Sequence, residues 1–333
     1  GRSAHLLTNN AVNLTLIIYI FTPKQRRNRD KMCTFAIQSV IAMNYQETIT
    51  YLYNSAPLFQ NIGQGAYKEG LSNTHALDEH FKHPHHKFRT IHVAGTNGKG
   101  SCSHTLAAVL QSAGYKVGLY TSPHLVDFRE RIRINGEMIN EQYVIDFVAQ
   151  HRAFFEPLHP SFFELTTAMA FHYFAEQKID VAVIEVGLGG RLDCTNIISP
   201  DITIITNISF DHVGFLGDTL AKIAHEKAGI IKPHTPVVIG EHNEETYPVF
   251  KTEAEAKQAT IIFAQEQHLF RSIERKINYD IYQTIPFGEL SVELRGYCQE
   301  KNVNTILHAI KELQRVGYNI SKEAVHKGFS QVC

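Results

Sequence analysis

A glycine-rich turn is the strongest chemical signal in this sequence. It reads Gly95-Thr-Asn-Gly-Lys-Gly-Ser101 and follows an apolar run, at the point where a strand ends and a helix begins. Glycines at such a turn let backbone N–H groups wrap a phosphate, and the helix N-terminus adds a favourable field. Lys99 would place a positive charge on the terminal phosphates. The turn therefore predicts phosphate binding, although Val93 stands where the usual G-x-x-x-x-G-K-[ST] pattern has its first glycine.

Two residues that could bind a metal ion lie near other predicted strand ends. Ser122, in Thr121-Ser-Pro-His-Leu125, has a hydroxyl for Mg²⁺, but a plain Ser-Pro turn explains it equally well. Glu185 lies in the apolar run Val181-Ala-Val-Ile-Glu-Val186. Because a buried carboxylate is costly without a cation, we favour metal ligation for Glu185 over an ion pair with Arg191.

A third strand end and a helix add two more candidates. His212 lies in Asn207-Ile-Ser-Phe-Asp-His-Val213, after a predicted strand. A lone histidine is more often structural than a ligand, but this one shares a sheet edge with the residues above, so both interpretations stay open. Lys227 lies in Ile223-Ala-His-Glu-Lys-Ala-Gly229 and by itself is typical of a solvated helical lysine.

Strand-like and helical segments alternate from Met43 onward. The predicted strands are the apolar runs at residues 89–94, 116–121, 180–186, 201–207, 235–239 and 260–264. The predicted helices among them cover residues 101–113, 141–155, 163–177, 218–230 and 244–257. Near-continuous Val and Ile runs that alternate with helices indicate an α/β fold whose mostly parallel sheet is covered by helices on both faces. The carboxyl ends of its strands would gather the candidate residues at one edge.

The overall composition excludes several classes of protein. The chain has 333 residues, of which 44% are hydrophobic and 20% charged, a balance typical of a globular protein of about two domains. Its net charge of −1 supplies no basic field for nucleic acid. Five scattered cysteines without a C-x-x-C pair argue against a disulfide framework or zinc site and favour the cytoplasm.

The first 42 residues differ from the rest, with six basic residues and one acid. Their apolar run at residues 14–21 is too short for a membrane span, which needs about 20 residues. Its charges follow the apolar run, which is the reverse of a signal peptide. We interpret residues 1–42 as an extension outside the fold, translated upstream of a natural start at Met43, with a targeting peptide as the alternative.

Taken together, the motifs resemble the folylpolyglutamate synthase/dihydrofolate synthase family of the Mur-ligase-like superfamily. The resemblance lies in segments that occur in the order 95–101, 121–125, 128–136, 163–164, 185–193, 211–212 and 226–230. It covers about residues 43–333 and implies a P-loop-type fold, the Mur-ligase-like central ATPase domain.

The resemblance implies an ATP-dependent ligase that forms an amide bond. In the family, ATP phosphorylates a carboxylate to an acyl phosphate, which the amino group of L-glutamate then attacks. The carboxylate belongs to dihydropteroate or is the γ-carboxyl of a (tetrahydro)folate. The implied cofactors are ATP and two Mg²⁺ ions. The implied protein is a cytoplasmic monomer that binds these small molecules, without nucleic acid or membrane partners.

The resemblance also implies a role for each candidate residue. The residues that would bind ATP are Gly95, Thr96, Asn97, Gly98, Lys99, Gly100, Ser101 and Asn302. Ser122 and Glu185 would hold one Mg²⁺ ion and His212 a second. Lys227 matches the lysine that the family carbamylates, and it completes a predicted catalytic set with Lys99 and His212. The residues that would contact the pterin are Phe163, Glu164, Leu192 and Asp193.

These matches divide the chain into the extension 1–42, an ATP-binding ligase domain at 43–295 and an incomplete start of a C-terminal domain at 296–333. Cys298 stands where the family usually has His. The expected truncation leaves a catalytically silent ATP-binding fragment as one alternative. A Mur-type UDP-muramoyl peptide ligase is another, although such enzymes usually have Thr or Ser directly after the lysine. A dinucleotide-binding oxidoreductase is disfavoured because G-x-G-x-x-G is absent at the first turn.

Overall fold

The structure, a computed structural model, describes residues 43–55 and 70–332. The predicted extension at residues 1–42 therefore lies outside the described residues. No helix within the described ranges is long and apolar enough to cross a lipid bilayer.

The α-helices of the described ranges are numbered in chain order. They are α1 (Tyr45–Ser55), α2 (Ser72–His80), α3 (Lys99–Ser112), α4 (Glu141–Phe155), α5 (Phe162–Glu176), α6 (Val213–Leu216), α7 (Leu220–Ala228), α8 (Tyr247–Ala256), α9 (Tyr297–Arg315) and α10 (Lys322–Phe329). The strands are β1 (Arg89–Ala94), β2 (Val117–Tyr120), β3 (Ile132–Ile134), β4 (Glu137–Met138), β5 (Val181–Glu185), β6 (Ile202–Ile205), β7 (Val237–Ile239), β8 (Ile261–Phe263), β9 (Phe270–Arg275), β10 (Asp280–Thr284) and β11 (Gly288–Val292).

Among the described residues, eight strands form the main sheet in the order β4-β3-β2-β5-β1-β6-β7-β8. The six neighbouring strands β2, β5, β1, β6, β7 and β8 pair in parallel. Strands β3 and β4 add an antiparallel edge next to β2. In the central pair, Val93 of β1 lies opposite Glu185 of β5. The predicted α/β fold with a mostly parallel sheet is confirmed.

The two faces of the central strands bury different side chains, because successive strand residues point to opposite faces. Val181 and Val183 of β5 join a buried cluster that includes α3, α9 and α10. Ala182 and Ile184 join a second cluster that includes α1, α4 and α5. Helices thus cover both faces, which is why β5 reads as one continuous apolar run.

A smaller antiparallel sheet, β11-β10-β9, follows the main one, and α9 and α10 come after it. Helix α9 begins at Tyr297 and ends at Arg315. Helix α10 packs closely on α3 at Gly328. A Cβ on this glycine would lie only 2.5 Å from Val109 Cα, so a larger residue would not fit. Both helices share a buried cluster with β1 and α3. The division of the chain after residues 42 and 295 stays a prediction.

Candidate functional site

The glycine-rich turn connects β1 to α3, as predicted. Gly95 and Gly98 have φ angles of 141° and 82°, which residues with a Cβ rarely adopt. A Cβ at Gly95 would also lie only 1.9 Å from Thr206 Oγ1. The backbone therefore requires glycine at both positions.

Residues at the end of β6 hold this turn in place. Thr206 Oγ1 donates a hydrogen bond to Asn97 O at 2.5 Å. Asn97 N donates to Asn207 Oδ1 at 2.9 Å, and Thr96 N donates to Asn207 O at 3.0 Å. The turn is thus ordered by the neighbouring strand before any phosphate binds.

Two lysines converge on the first glycine of the turn. Lys99 Nζ donates to Gly95 O at 3.0 Å and to Thr96 O at 3.1 Å. Lys227 Nζ, from α7, donates to the same Gly95 O at 3.0 Å. Lys227 is only 2% exposed, and its burial, together with the charge of Lys99, lowers its pKa to about 8. The structure therefore brings together two of the three residues predicted to be catalytic.

The beginning of α9 covers the same turn. A Cβ at Gly98 would lie 2.3 Å from Asn302 Oδ1, so Asn302 packs directly on the glycine. Asn302 Nδ2 donates to Gln299 Oε1 at 3.0 Å, and Gln299 Nε2 donates to Ser101 Oγ at 3.1 Å. The sequence predicted Asn302 but missed Gln299, which lies one helical turn before Asn302 on α9.

Glu185 ends β5 beside the start of α3. Its carboxylate is 3% exposed and accepts a hydrogen bond from the backbone N–H of Ser122. A Cβ at Gly100 would lie 3.9 Å from Glu185 Oε2, an oxygen with no hydrogen-bond partner among the described residues. Burial raises the pKa of Glu185 to about 7, against the opposing charges of Lys99 and Arg131. Ser122 and Glu185 are thus neighbours, as predicted.

This pair has the chemistry of a magnesium site. Mg²⁺ prefers oxygen ligands and usually takes one or two carboxylates together with phosphate oxygens and water. The unpartnered, buried Oε2 of Glu185 meets that requirement. His212 is half exposed with its ring 3.4 Å from Asp211 Oδ1, and no hydrogen bond of the described residues joins it to Ser122 or Glu185. Within the described ranges, no three His, Cys, Asp or Glu side chains cluster as a metal site.

The residues predicted to contact the pterin divide into two kinds. Phe163 and Leu192 are partly exposed. The ring of Phe163 packs on Gly187, where a Cβ would lie 2.3 Å from its Cζ, and its centroid is 5.7 Å from that of Tyr120. These two side chains keep apolar surface available to a ligand.

The carboxylates of Glu164 and Asp193 are instead buried and hydrogen-bonded within the fold. Glu164 Oε2 accepts from Ser161 N at 2.6 Å, while Ser161 Oγ accepts from Glu164 N at 3.2 Å, which is a capping box at the start of α5. Asp193 accepts from the backbone of Leu188 and Thr195. The S-x-x-E spacing at residues 161–164 is the signal that could have indicated the role of Glu164.

Arg131 is a buried cation at the same edge of the sheet that the sequence analysis did not single out. It is 8% exposed, and its guanidinium lies 5.2 Å from the ring centroid of Phe162. Arg131 Nε donates to His124 Nδ1 at 2.6 Å, so His124 donates from Nε2 to the Tyr53 hydroxyl at 2.9 Å. Burial and the charge of Arg131 lower the pKa of His124. Arg131 thus adds positive charge near Glu185.

Comparison with known proteins identifies the family of this chain. The Mur ligase middle domain matches residues 93–310, which include the glycine-rich turn, Glu185, Lys227 and Asn302. A solved mutant of Lactobacillus casei folylpolyglutamate synthase superposes with a TM-score of 0.80 at 31% identity, over 87% of this chain and 72% of that one. The chain belongs to the folylpolyglutamate synthase/dihydrofolate synthase family.

Further members of the family support this assignment. The dihydrofolate synthase/folylpolyglutamate synthase of Bacillus subtilis is 38% identical over 283 residues, which are 78% of this chain. A folylpolyglutamate synthase solved with AMPPCP and folate superposes with a TM-score of 0.77 at 33% identity, over 86% of this chain and 71% of that one.

The chain is shorter than these family members. It spans 64% of the length of the Bacillus protein, and 46% and 34% of two curated relatives from Lacticaseibacillus casei and Haloferax volcanii.

Proposed function

We propose that this chain is the nucleotide- and pterin-binding part of an ATP-dependent ligase that joins L-glutamate to a pterin-linked carboxylate. The observation that carries the proposal is the group around the glycine-rich turn. Lys99 and Lys227 bond the same Gly95 carbonyl, and the unpartnered oxygen of Glu185 lies next to Gly100 of the same turn. A glycine-rich turn with two cations and a buried carboxylate suits the phosphates of a nucleotide and their metal ion. The relative solved with AMPPCP and folate supports this pair of ligands.

The reaction consists of two substitutions. In the first, an oxygen of the substrate carboxylate bonds to the γ-phosphorus of ATP, the bond to the β-phosphate oxygen breaks, and ADP leaves with the electron pair. In the second, the amino nitrogen of glutamate bonds to the acyl carbon, phosphate leaves with the C–O electrons, and the nitrogen loses a proton. Negative charge moves between phosphate oxygens throughout, so positioned cations supply most of the catalysis.

In this proposal, Lys99 is the cation that contacts the terminal phosphates of ATP. Its Nζ is held by two backbone carbonyls of the turn, and phosphate oxygens would replace these carbonyls as stronger, charged acceptors. The amides of the turn and the start of α3 donate to the remaining phosphate oxygens. Asn302, which packs on Gly98, would complete the nucleotide site from α9.

Ser122 and Glu185 would hold one Mg²⁺ ion, and His212 is the proposed ligand of a second. When bound there, Mg²⁺ would supply positive charge that offsets the charge of the phosphates. Glu185 is suited to this role because a cation at its unpartnered oxygen favours the ionised carboxylate and offsets the effect of burial.

Lys227 is the proposed site of carbamylation. Its lowered pKa increases the fraction of neutral amine, which is the form that reacts with carbon dioxide. The ammonium group first loses one proton. The neutral nitrogen then bonds to the carbon of CO₂, one C=O electron pair moves onto oxygen and a second proton leaves, so a buried cation becomes a carbamate anion. This conversion also removes the repulsion between Lys227 and Lys99.

Phe163 and Leu192 supply the apolar surface for the pterin, while Glu164 and Asp193 act through the backbone that they hold. The scattered cysteines and the family resemblance support a cytoplasmic monomer.

Phosphate release by the chain tests this function. We expect release from Mg-ATP that requires both L-glutamate and either dihydropteroate or tetrahydrofolate, and the pterin that supports it identifies the substrate. Release with a UDP-muramoyl peptide substrate instead would favour the Mur-type alternative. ATP binding in a calorimeter without glutamate-dependent release would favour a silent nucleotide-binding fragment.

A further inference from the structure

A buried chain of three side chains connects β1 to the loop after β5. This loop comprises residues 187–193 and is called the 187–193 loop below. His92 and Thr195 are 0% exposed, and Asp193 is 5% exposed. His92 Nε2 lies 2.8 Å from Thr195 Oγ1, which lies 2.5 Å from Asp193 Oδ1. The function proposed above assigns no role to His92 or Thr195.

The direction of these hydrogen bonds follows from the available protons. Asp193 already accepts two backbone N–H groups, as an ionised carboxylate does, so the Thr195 hydroxyl donates its single proton to it. The hydroxyl oxygen then accepts from His92, which must carry its own proton on Nε2. His92 Nδ1 has no hydrogen-bond partner among the described residues, which agrees with this neutral tautomer. Burial lowers the pKa of His92 to about 3, so the ring stays neutral.

The Asp193 carboxylate connects these buried side chains to the backbone of the 187–193 loop. Its Oδ2 accepts from Leu188 N at 2.8 Å and its Oδ1 from Thr195 N at 2.9 Å. Gly187, one residue before Leu188, packs on the Phe163 ring with no room for a Cβ. At the other end of the loop, Arg191 N donates to Glu226 O at 2.7 Å, next to Lys227. A shift at the Leu188 end of this loop would therefore move the contact surface of Phe163, while the bond from Arg191 N holds the other end.

We propose that His92 is a positioning residue that acts through Thr195 and Asp193 to hold the 187–193 loop against Phe163. It thereby shapes the side of the site that receives the pterin. The expected effect of His92 on pterin binding rests on the proposed function, whereas the expected effect of His92 on the loop does not.

Four variants test the proposal on the chain itself. His92→Leu and Thr195→Val each break the link, whereas His92→Gln keeps a donor near the position of Nε2 and Thr195→Ser keeps the hydroxyl. We expect amide hydrogen exchange at Leu188 to be about tenfold faster in the first pair, which is the effect of one lost hydrogen bond. Amide exchange at the core strand residue Ile204 should not change in any variant. In His92→Gln and Thr195→Ser, exchange at Leu188 should match that of the wild type.

The tautomer of His92 in the wild type provides a test that needs no variant. Nitrogen NMR of the ring should show the proton on Nε2, and a proton on Nδ1 would overturn the proposal. Unchanged Leu188 exchange in both His92→Leu and Thr195→Val would overturn it as well. If both variants unfold, the tautomer and the exchange in Thr195→Ser decide.

Ligand binding separates this proposal from the proposed function. We expect His92→Leu and Thr195→Val to weaken dihydropteroate binding by about tenfold and to leave ATP binding unchanged. Equal losses for both ligands would indicate general destabilisation and contradict a positioning role. A wild-type chain that binds no pterin would contradict the proposed function, while the tautomer and exchange results would still test His92.

Discussion

Lys99 and Lys227 donate to one acceptor, the carbonyl oxygen of Gly95, each at 3.0 Å. Two ammonium groups on one oxygen repel each other, and Lys227 is buried, so its charged form is unfavourable. Binding of an anionic phosphate or loss of the Lys227 proton relieves this repulsion. The fold therefore keeps an excess of positive charge at the turn that receives the proposed nucleotide.

Stability should depend on pH through Lys227. Its pKa of about 8 in the fold lies below the ordinary value of 10.5, so the unfolded chain binds more protons between these values and stability rises with pH in that window. We expect the free energy of unfolding of the wild type, relative to Lys227→Met, to increase by about 2 kcal/mol from pH 8 to pH 10. Urea denaturation at the two pH values measures it.

Lys222 provides the matched control, because it is an exposed lysine of the same helix that pairs with Asp218. The free energy of unfolding of Lys222→Met should follow that of the wild type at both pH values. Parallel behaviour of the wild type and Lys227→Met would show that Lys227 does not lose its proton in this window.

Lys99→Ala should weaken ATP binding, because Lys99 is the cation proposed to contact the terminal phosphates. A hydrogen bond between charged groups is worth about 2 kcal/mol, so we expect a loss of affinity of at least about tenfold. Isothermal titration with Mg-ATP measures it. Lys116→Ala is the control, since this partly exposed lysine bonds to Gln177 O away from the turn. Unchanged affinity in Lys99→Ala would refute the assignment of the turn as the nucleotide site.

Glu185→Gln should stabilise the fold above neutral pH. The pKa of Glu185 is raised from 4.5 to about 7, so the folded chain binds more protons in this window and wild-type stability falls as pH rises through it. The amide of Gln at position 185 carries no charge at any of these pH values, so the variant does not lose stability as the pH rises. We expect Glu185→Gln to exceed the wild type by about 3 kcal/mol at pH 8 and to match it near pH 4.

Denaturant titrations at the two pH values measure this difference, with Glu137→Gln on exposed β4 as the control. The same Glu185→Gln variant should lose the magnesium dependence of ATP binding. A variant that keeps this dependence would contradict the role of Glu185 as a metal ligand.

The contact between Gly98 and Asn302 predicts an energetic coupling. Gly98→Ala should destabilise the chain, because its left-handed backbone costs about 1 kcal/mol with a Cβ and the new Cβ lies 2.3 Å from Asn302 Oδ1. In an Asn302→Ala background the clash disappears, and we expect a coupling of about 1 kcal/mol in a double-mutant cycle.

Gly100→Ala is the matched control for this cycle. Gly100 is helical, and its Cβ would meet only Glu185 Oε2 at an ordinary 3.9 Å, so this variant should not destabilise the chain. Additive effects of Gly98→Ala and Asn302→Ala would mean that Asn302 does not pack on the turn in solution.

Glu164 should act on the helix rather than on the pterin. Glu164→Ala and Ser161→Ala each break the capping box, and we expect each to lower the free energy of unfolding by about 1 kcal/mol. Glu164→Gln keeps the acceptor and should retain both stability and dihydropteroate affinity. A loss of affinity in Glu164→Gln at unchanged stability would instead indicate direct contact with the ligand.

The sequence by itself determined the α/β class and the edge of the sheet that carries the candidate site. Strands buried on both faces are apolar at successive positions, so this pattern is strong and local. The predicted strand at 89–94 matches β1, and the one at 180–186 differs from β5 by one residue at each end. The strand-to-helix turn with glycine and lysine was equally readable, because its backbone geometry restricts the residue types.

Only the tertiary structure decided the partners of the polar side chains. Lys227 reaches Gly95 across 132 positions, and the buried chain from His92 to Asp193 joins β1 to a loop that is distant in sequence. Periodicity specifies which face of a segment is buried, but the atom that a polar group meets depends on how remote segments pack. The same packing leaves an oxygen of Glu185 without a hydrogen-bond partner among the described residues.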